Sequence, residues 1–118
     1  LPKSQDLLKL IPWIEKLEDS LVMNLSKIIE IKIFPANYSF DNELNSNNIG
    51  ILVRGNAKFN DNDQSNDLEI GFIISKRNKK ITSSSKVVSN SPLTLIWIAE
   101  SKYNSFVELV KDFDNQIS

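Results

Sequence analysis

Apolar residues recur every three or four positions between Ser4 and Leu25, which is the spacing of one face of a helix. Pro12 interrupts this stripe, because proline lacks an amide donor and clashes with the preceding helical turn. The pattern therefore predicts a loose first turn and then a helix from Pro12 to about Met23. Trp13, at the start of that helix, is expected to anchor the core or its rim.

The middle of the chain has the alternation and the short apolar runs that are typical of β-strands. Between Lys27 and Phe34, three isoleucines alternate with Glu30 and Lys32, so one face of this strand is apolar. The continuous run Ile51–Val53 indicates a strand that is buried on both faces. Four strands are predicted in this way, over Lys27–Phe34, Ile49–Phe59, Leu68–Lys76 and Leu93–Ala99.

Polar segments separate these strands. Asn37–Asn48 and Asn60–Asp67 are rich in Asn and Asp, which tolerate turn conformations and hydrogen-bond their own backbone, so both segments are predicted to be loops. Thr82–Ser89 is predicted to hold a short helix, with Val87 and Val88 packed inward.

The C-terminal segment, residues 105–117, fits two structures. Ser105 and Glu108 have capping-box spacing, and the apolar residues that follow have helical periodicity, which favours a helix. Alternation from Phe106 to Val110 is also compatible with a strand. With the helix, the element order is α-β-β-β-(α)-β-α. This order predicts a single α+β domain over residues 1–118, an antiparallel sheet with an N-terminal and a C-terminal helix.

Composition excludes several classes of function. The chain has no Cys and no His, which excludes disulfides, zinc ribbons, thiol catalysis and histidine general bases. The net charge of −1 argues against a nucleic-acid binder, and the longest apolar runs are too short to cross a membrane. No targeting segment is recognised, so the cytoplasm is the default expectation.

One concentrated charge feature remains, the run from Lys76 to Lys80, which contains four cations. Such a run is either a solvated turn after a strand or an anion site, where clustered cations hold a phosphate through charge-assisted hydrogen bonds. The sequence alone leaves both interpretations open.

Four segments, taken in order, resemble the FMN-binding split-barrel family related to pyridoxamine 5′-phosphate oxidase. The opening Pro12-Trp13 with its following leucines is similar to the first helix of short members. The strand Gly50–Gly55 is similar to a family strand that ends in a basic residue and glycine. The other two are Phe72–Lys80, similar to a strand with a phosphate-binding turn, and Asn90–Pro92 leading to Trp97.

The resemblance implies a homodimeric split barrel that binds FMN and acts as an oxidoreductase on an unknown substrate. Arg54 and Lys80 would pair with the FMN phosphate, assisted by Arg77 or Lys79. The main chain at Ile73 and Ile74 would lie along the flavin. Asn104 or Ser105 would lie near the flavin ring, and the family would have a strand around Phe106–Val110.

The alternative hypothesis is a non-catalytic interaction or assembly module that has lost flavin binding and contacts a protein partner. It is motivated by departures from the family pattern. Ile49 and Ile74 stand where many members have Arg and Thr, and the segment between Lys80 and Pro92 is longer than usual.

Overall fold

The computed structural model describes residues 3–118, and its centre is a four-stranded antiparallel sheet in the order β1-β7-β2-β5. The two long central strands are almost wholly apolar, and the buried run predicted around Ile51–Val53 is confirmed. Ile51 lies opposite Ile96 across their shared register. The strands of this first sheet are β1 (Glu30–Phe34), β2 (Ile49–Arg54), β5 (Ile73–Ile74) and β7 (Leu93–Ile98).

A second, three-stranded antiparallel sheet has the order β4-β3-β6. Its strands are β3 (Ala57–Asp61), β4 (Gln64–Asp67) and β6 (Ser85–Ser89). β3 and β4 form a hairpin with a two-residue turn, in which Asn62 has a φ of 56°. Asn is one of the few residues that adopt this left-handed conformation readily. The predicted loop Asn60–Asp67 is therefore mostly a polar hairpin.

Helices flank the sheets at both ends of the chain. The predicted N-terminal helix is broken into three short pieces, and Pro12 takes the first position of the second piece, where its missing N–H costs nothing. The helices are α1 (Ser4–Leu8), α2 (Pro12–Glu15), α3 (Asp19–Ser26), α4 (Asp41–Leu44), a 3₁₀ turn (Glu100–Lys102), α5 (Tyr103–Leu109) and α6 (Phe113–Gln116).

Two hydrophobic clusters lie on opposite faces of the first sheet. Alternate residues of β2 and β7 point to opposite sides, as the period of a strand requires. Ile51 and Ile96 face the outer cluster, where α1–α3, α5 and α6 contribute side chains such as Leu8 and Phe106. Leu52, Leu95 and their neighbours face the inner cluster, which lies between the two sheets.

The chain passes from the first sheet to the second at Gly55, whose φ is 101°. A Cβ at this position would lie 2.3 Å from the backbone oxygen of Pro92, a distance that real Cβ atoms do not reach. Only glycine fits this bend. The predicted strand Ile49–Phe59 is consequently two strands in different sheets.

The α+β class and the C-terminal helix are confirmed, since residues 103–109 and 113–116 are helical where the family resemblance implied a strand. The helix predicted within Thr82–Ser89 is wrong, because Ser85–Ser89 pairs with β3 as strand β6. The third predicted strand, Leu68–Lys76, is reduced to Ile73–Ile74. Within residues 3–118, no helix is long and apolar enough to cross a membrane.

Candidate functional site

The segment between β5 and β6, residues 75–84, is called the basic loop here, and two buried polar residues shape its first half. Asn78 is 3% exposed, and its side-chain Nδ2 donates to the Ile73 backbone carbonyl oxygen at 2.8 Å. The side-chain oxygen of Asn78, Oδ1, accepts from the Lys80 backbone N–H at 3.0 Å. Ser75, fully buried, accepts from the Arg77 amide through its hydroxyl at 3.1 Å. The loop is therefore ordered by its own side chains although most of its charges face solvent.

Hydroxyl groups shape the second half of the basic loop. The Ser85 hydroxyl accepts from the Thr82 amide at 2.9 Å, and the Ser85 amide donates to the Thr82 carbonyl oxygen at 3.0 Å. The Ser84 hydroxyl donates to Asp61 at the end of β3, over 3.0 Å. These reciprocal bonds fix a tight turn immediately before β6, in the manner of Ser and Thr side chains that replace backbone partners.

Two contacts connect the basic loop to the C-terminal helices. The Arg77 guanidinium stacks on the Tyr103 ring of α5, with 3.9 Å from its central carbon to the ring centroid. The Lys79 amide donates to the carbonyl oxygen of Ile117, after α6, at 2.8 Å. The loop thus contacts the helical layer as well as both sheets.

A pocket of about 430 Å³ lies between the basic loop and α4. Its volume is within the usual range for small-molecule sites, roughly 300–1,000 Å³. One wall comes from α4 and the residue after it, and the other comes from the basic loop and the start of β6. The lining residues are Asp41, Leu44, Asn45, Lys76, Ile81, Thr82, Ser83, Ser85 and Lys86.

The charges at this pocket are unevenly paired. Lys86 Nζ lies 3.2 Å from an Asp41 carboxylate oxygen. The Lys86 ammonium, together with the Ser39 hydroxyl, holds the pKa of Asp41 below its ordinary value. Lys76 makes no ion pair within residues 3–118. The pocket lining therefore carries two ammonium groups and one carboxylate, a net charge of one positive.

Chemically, the pocket offers the groups that recognise a small phosphate ester bearing hydroxyls. The ammonium groups of Lys76 and Lys86 can donate charge-assisted hydrogen bonds to an anion. The hydroxyls of Thr82 and Ser83 can donate or accept, and Asp41 can accept from a ligand hydroxyl. Leu44 and Ile81 add the apolar surface against which a flat ring can lie. Within the described residues, no group of His, Cys, Asp and Glu is arranged to hold a metal ion.

The seven residues expected to hold a cofactor do not line this pocket. Ile73 and Ile74 are buried in β5. Lys79 and Lys80 are exposed on the basic loop, and Asn104 is exposed on α5. Ile73 and Lys80 instead border a groove of about 450 Å³ beside Trp13. Of the remaining two residues, Arg77 lies over the Tyr103 ring of α5 and Arg54 is the last residue of β2.

Arg54 is separated from the start of the basic loop by most of the length of β2. The loop leaves β5 directly after Ile74, which lies opposite Gly50. Arg54 is four residues farther along that strand, roughly 13 Å at about 3.3 Å per residue. Arg54 lines neither of these two cavities, whereas Lys80 borders the groove beside Trp13.

Sequence reasoning missed most of the pocket residues. Asp41 and Lys86 are 45 positions apart, and each lies in a segment that was predicted to be something else, a loop and a short helix. The one available signal was the basic run, which correctly pointed to a cation-rich loop and included Lys76.

Comparisons with known proteins identify the fold. No protein-family model matches the chain, and neither does any curated protein. Solved structures do match. PKAR CBD2 bound to Sp-2Cl-cAMPS has a TM-score of 0.72 at 10% identity, over 92% of this chain and 77% of that one. A protein from Geobacter metallireducens assigned to the cyclic nucleotide-binding proteins has a TM-score of 0.69 at 18% identity, over 97% and 92%. The regulatory domain of Toxoplasma gondii PKA with cAMP has a TM-score of 0.67 at 10% identity, over 93% and 46%.

These matches correct the family resemblance drawn from the sequence. The neighbours are cyclic nucleotide-binding domains, so the assignment to the pyridoxamine 5′-phosphate oxidase-like family is wrong. The expected split barrel, FMN cofactor and flavin-dependent oxidoreductase activity depended on that assignment and are wrong as well. The matched segments were short strands followed by polar turns, features that any antiparallel fold contains. At identities of 10–18%, the likeness concerns the backbone alone, and the chain has the fold of these cyclic nucleotide-binding domains.

Proposed function

We propose that the chain is a ligand-binding domain that takes a cyclic nucleotide into the pocket between α4 and the basic loop. The observation that carries the proposal is the position and lining of this pocket. It lies at the β5–β6 connection, and two ammonium groups, one carboxylate and several hydroxyl groups line a cavity of about 430 Å³.

Charge supports a cyclic monophosphate over more highly charged nucleotides. Its phosphodiester carries a single negative charge, which matches the net single positive charge of the pocket lining. Lys76 is the free cation for the phosphate, because Lys86 is already paired with Asp41. The Asp41 carboxylate, kept ionised by Lys86, is an acceptor for a ribose hydroxyl.

The solved structures support the same ligand class. Two of the neighbours are complexes, PKAR CBD2 with Sp-2Cl-cAMPS and the regulatory domain of Toxoplasma gondii PKA with cAMP. The sequence identities are low, so the proposal depends on this chain's own pocket residues, and it is these that an experiment must probe.

The direct test is isothermal titration calorimetry with cAMP and cGMP, with 5′-AMP, adenosine and FMN as comparison ligands. We expect a cyclic nucleotide to bind more tightly than adenosine, which lacks the phosphate. Lys76→Glu should weaken that binding by about 10- to 100-fold, because a charged hydrogen bond is worth roughly 1.5–3 kcal/mol.

Lys79→Glu is the matched control. It makes the same charge change in the same loop, but Lys79 does not line the pocket. Its binding should stay within about threefold of the wild type, since exposed charges interact weakly. Absence of binding by every cyclic nucleotide, or equal losses in the two variants, would contradict the proposal.

A further inference from the structure

Strand β1 is an open edge of the first sheet. It pairs with β7 alone, and no other strand within residues 3–118 lies on its outer side. An open edge presents unpaired N–H and C=O groups and is a ready template for another strand.

The edge also carries exposed apolar side chains. Ile31 is 39% exposed and Ile33 is 75% exposed. Ile31 lies opposite Ile96, so both point to the helix-covered face of the sheet, but the helices leave the end of that face at β1 uncovered. The alternation predicted from the sequence is confirmed, and its apolar side chains Ile31 and Ile33 are exposed to solvent.

Charged residues occupy the other face of the same strand. Glu30 and Lys32 lie opposite Trp97 and Leu95, and Lys32 Nζ lies 4.4 Å from the centroid of the Trp97 ring. Both charged side chains are exposed. The strand thus has isoleucines on one face and a Glu–Lys couple on the other.

We propose that β1 pairs antiparallel with β1 of a second copy, joining two four-stranded sheets into one eight-stranded sheet. A twofold axis perpendicular to the sheet keeps every residue on its own face. Residues that lie opposite one another on antiparallel strands share a face, so the two paired positions must be an even number of residues apart. The axis therefore passes between one residue and the same residue of the copy, which leaves only a few registers.

The charges distinguish among these registers. An axis at Glu30 places Glu30 opposite itself, and an axis at Lys32 places Lys32 opposite itself, both of which are repulsive. An axis at Ile33 pushes Glu30 past Pro35 of the copy, which has no amide to donate. An axis at Ile31 places Glu30 opposite Lys32 twice and stacks the isoleucines of both copies. This complementarity is built into the strand itself, which makes a second copy the occupant.

Sedimentation velocity over a concentration series tests the proposal. The wild type should form a dimer that weakens at high salt, because the cross-strand ion pairs are exposed. Glu30→Lys alone and Lys32→Glu alone should each raise the dimer dissociation constant at least tenfold, since each places like charges opposite one another. Ile33→Thr keeps strand propensity but removes apolar surface, and it should also weaken the dimer.

Mixing the two charge variants is the decisive arm. In Glu30→Lys, positions 30 and 32 are both cationic, and in Lys32→Glu both are anionic. Each cation then lies opposite an anion of the other variant, so a one-to-one mixture should form a heterodimer although neither variant self-associates. Glu108→Lys, an exposed reversal on α5, is the control and should dimerise like the wild type. Circular dichroism verifies that every variant is folded.

Two outcomes would overturn the inference. A wild type that is monomeric at its highest soluble concentration would mean that another segment or a different protein covers the edge. A dimer unaffected by the charge variants would place the contact elsewhere on the surface. Neither outcome depends on whether the pocket binds a nucleotide.

Discussion

The guanidinium of Arg77 lies over the ring of Tyr103, with 3.9 Å from its central carbon to the ring centroid, and this contact joins the basic loop to α5. The Arg77 Nε is buried and has no hydrogen-bond partner within residues 3–118. The stack is therefore what compensates the burial of this part of the side chain.

A double-mutant cycle measures the stack. Arg77→Ala and Tyr103→Leu should each lower the free energy of unfolding, with a coupling of about 1 kcal/mol between them, typical of a partly desolvated cation–π contact. Urea unfolding of the two single variants and the double variant gives the coupling. Lys79→Ala, combined with the same Tyr103→Leu change, is the control. A coupling equal to that of the control would show that the Arg77–Tyr103 contact does not contribute to stability.

Asn78 should be the most sensitive polar residue of the basic loop. Asn78→Ala removes the buried donor to the Ile73 carbonyl oxygen and the partly buried acceptor for the Lys80 backbone N–H. We expect a loss of about 2–3 kcal/mol in the free energy of unfolding, because buried backbone groups are left unpaired. Asn104→Ala, on the exposed face of α5, should change it by less than about 0.5 kcal/mol. Similar effects at both positions would contradict the structural role given to Asn78.

Gly55 should tolerate no side chain. Gly55→Ala would force a Cβ against the Pro92 carbonyl oxygen and strain a backbone with φ of 101°. We expect it to cost more than about 2 kcal/mol of stability, measured by denaturant unfolding. In Gly50→Ala the new Cβ would meet the Leu95 side chain at 3.0 Å, without positive φ, so this variant should be milder. The reverse order of the two variants would refute the bend.

Tyr38 gives stability a dependence on alkaline pH. Its hydroxyl donates to Glu43 at 2.6 Å, and this bond, reinforced by burial and by the negative charge of Glu43, raises the pKa of Tyr38 to about 12. The neutral form is thus favoured in the folded state. The resulting stabilisation is complete below the unfolded value near 10 and disappears as the pH rises from about 10 to 12.

Tyr38→Phe isolates this effect. The stability difference between wild type and variant should be constant up to about pH 10 and shrink toward pH 12. Denaturant unfolding at each pH measures it, and ultraviolet titration of a Tyr103→Phe variant, which retains Tyr38 as its single tyrosine, gives the pKa directly. Ionisation of Tyr38 near pH 10 would show that the hydrogen bond to Glu43 does not persist in solution.

Local pattern predicted what local physics determines. The helical periodicity after Phe106 favoured the C-terminal helix over a strand, and the apolar run at Ile51–Val53 correctly indicated burial on both faces. Pro12 correctly marked a helix boundary. In each case the neighbouring residues alone carry the preference.

The errors concern features that depend on distant partners. The chain around Gly55 reads as one strand, because nothing local says that Pro92 will lie against it. Ser85–Ser89 becomes a strand through β3 and not through its own weak propensity. The pocket needs Asp41 and Lys86 side by side, and a single sequence contains no measure of that proximity. Short motifs therefore suggested a flavoprotein, although the path of the whole chain is that of the cyclic nucleotide-binding domains.

The first sheet separates two hydrophobic clusters by the thickness of a single layer of backbone. A substitution in the helical layer therefore acts on side chains that the backbone of β2 and β7 separates from the cluster between the sheets. The basic loop is the exception, because the Lys79 amide holds the end of the chain through Ile117. A change in the basic loop would therefore be transmitted to the C-terminal residues through this hydrogen bond. A change at Leu52, Leu95 or Trp97 would affect only the cluster between the two sheets.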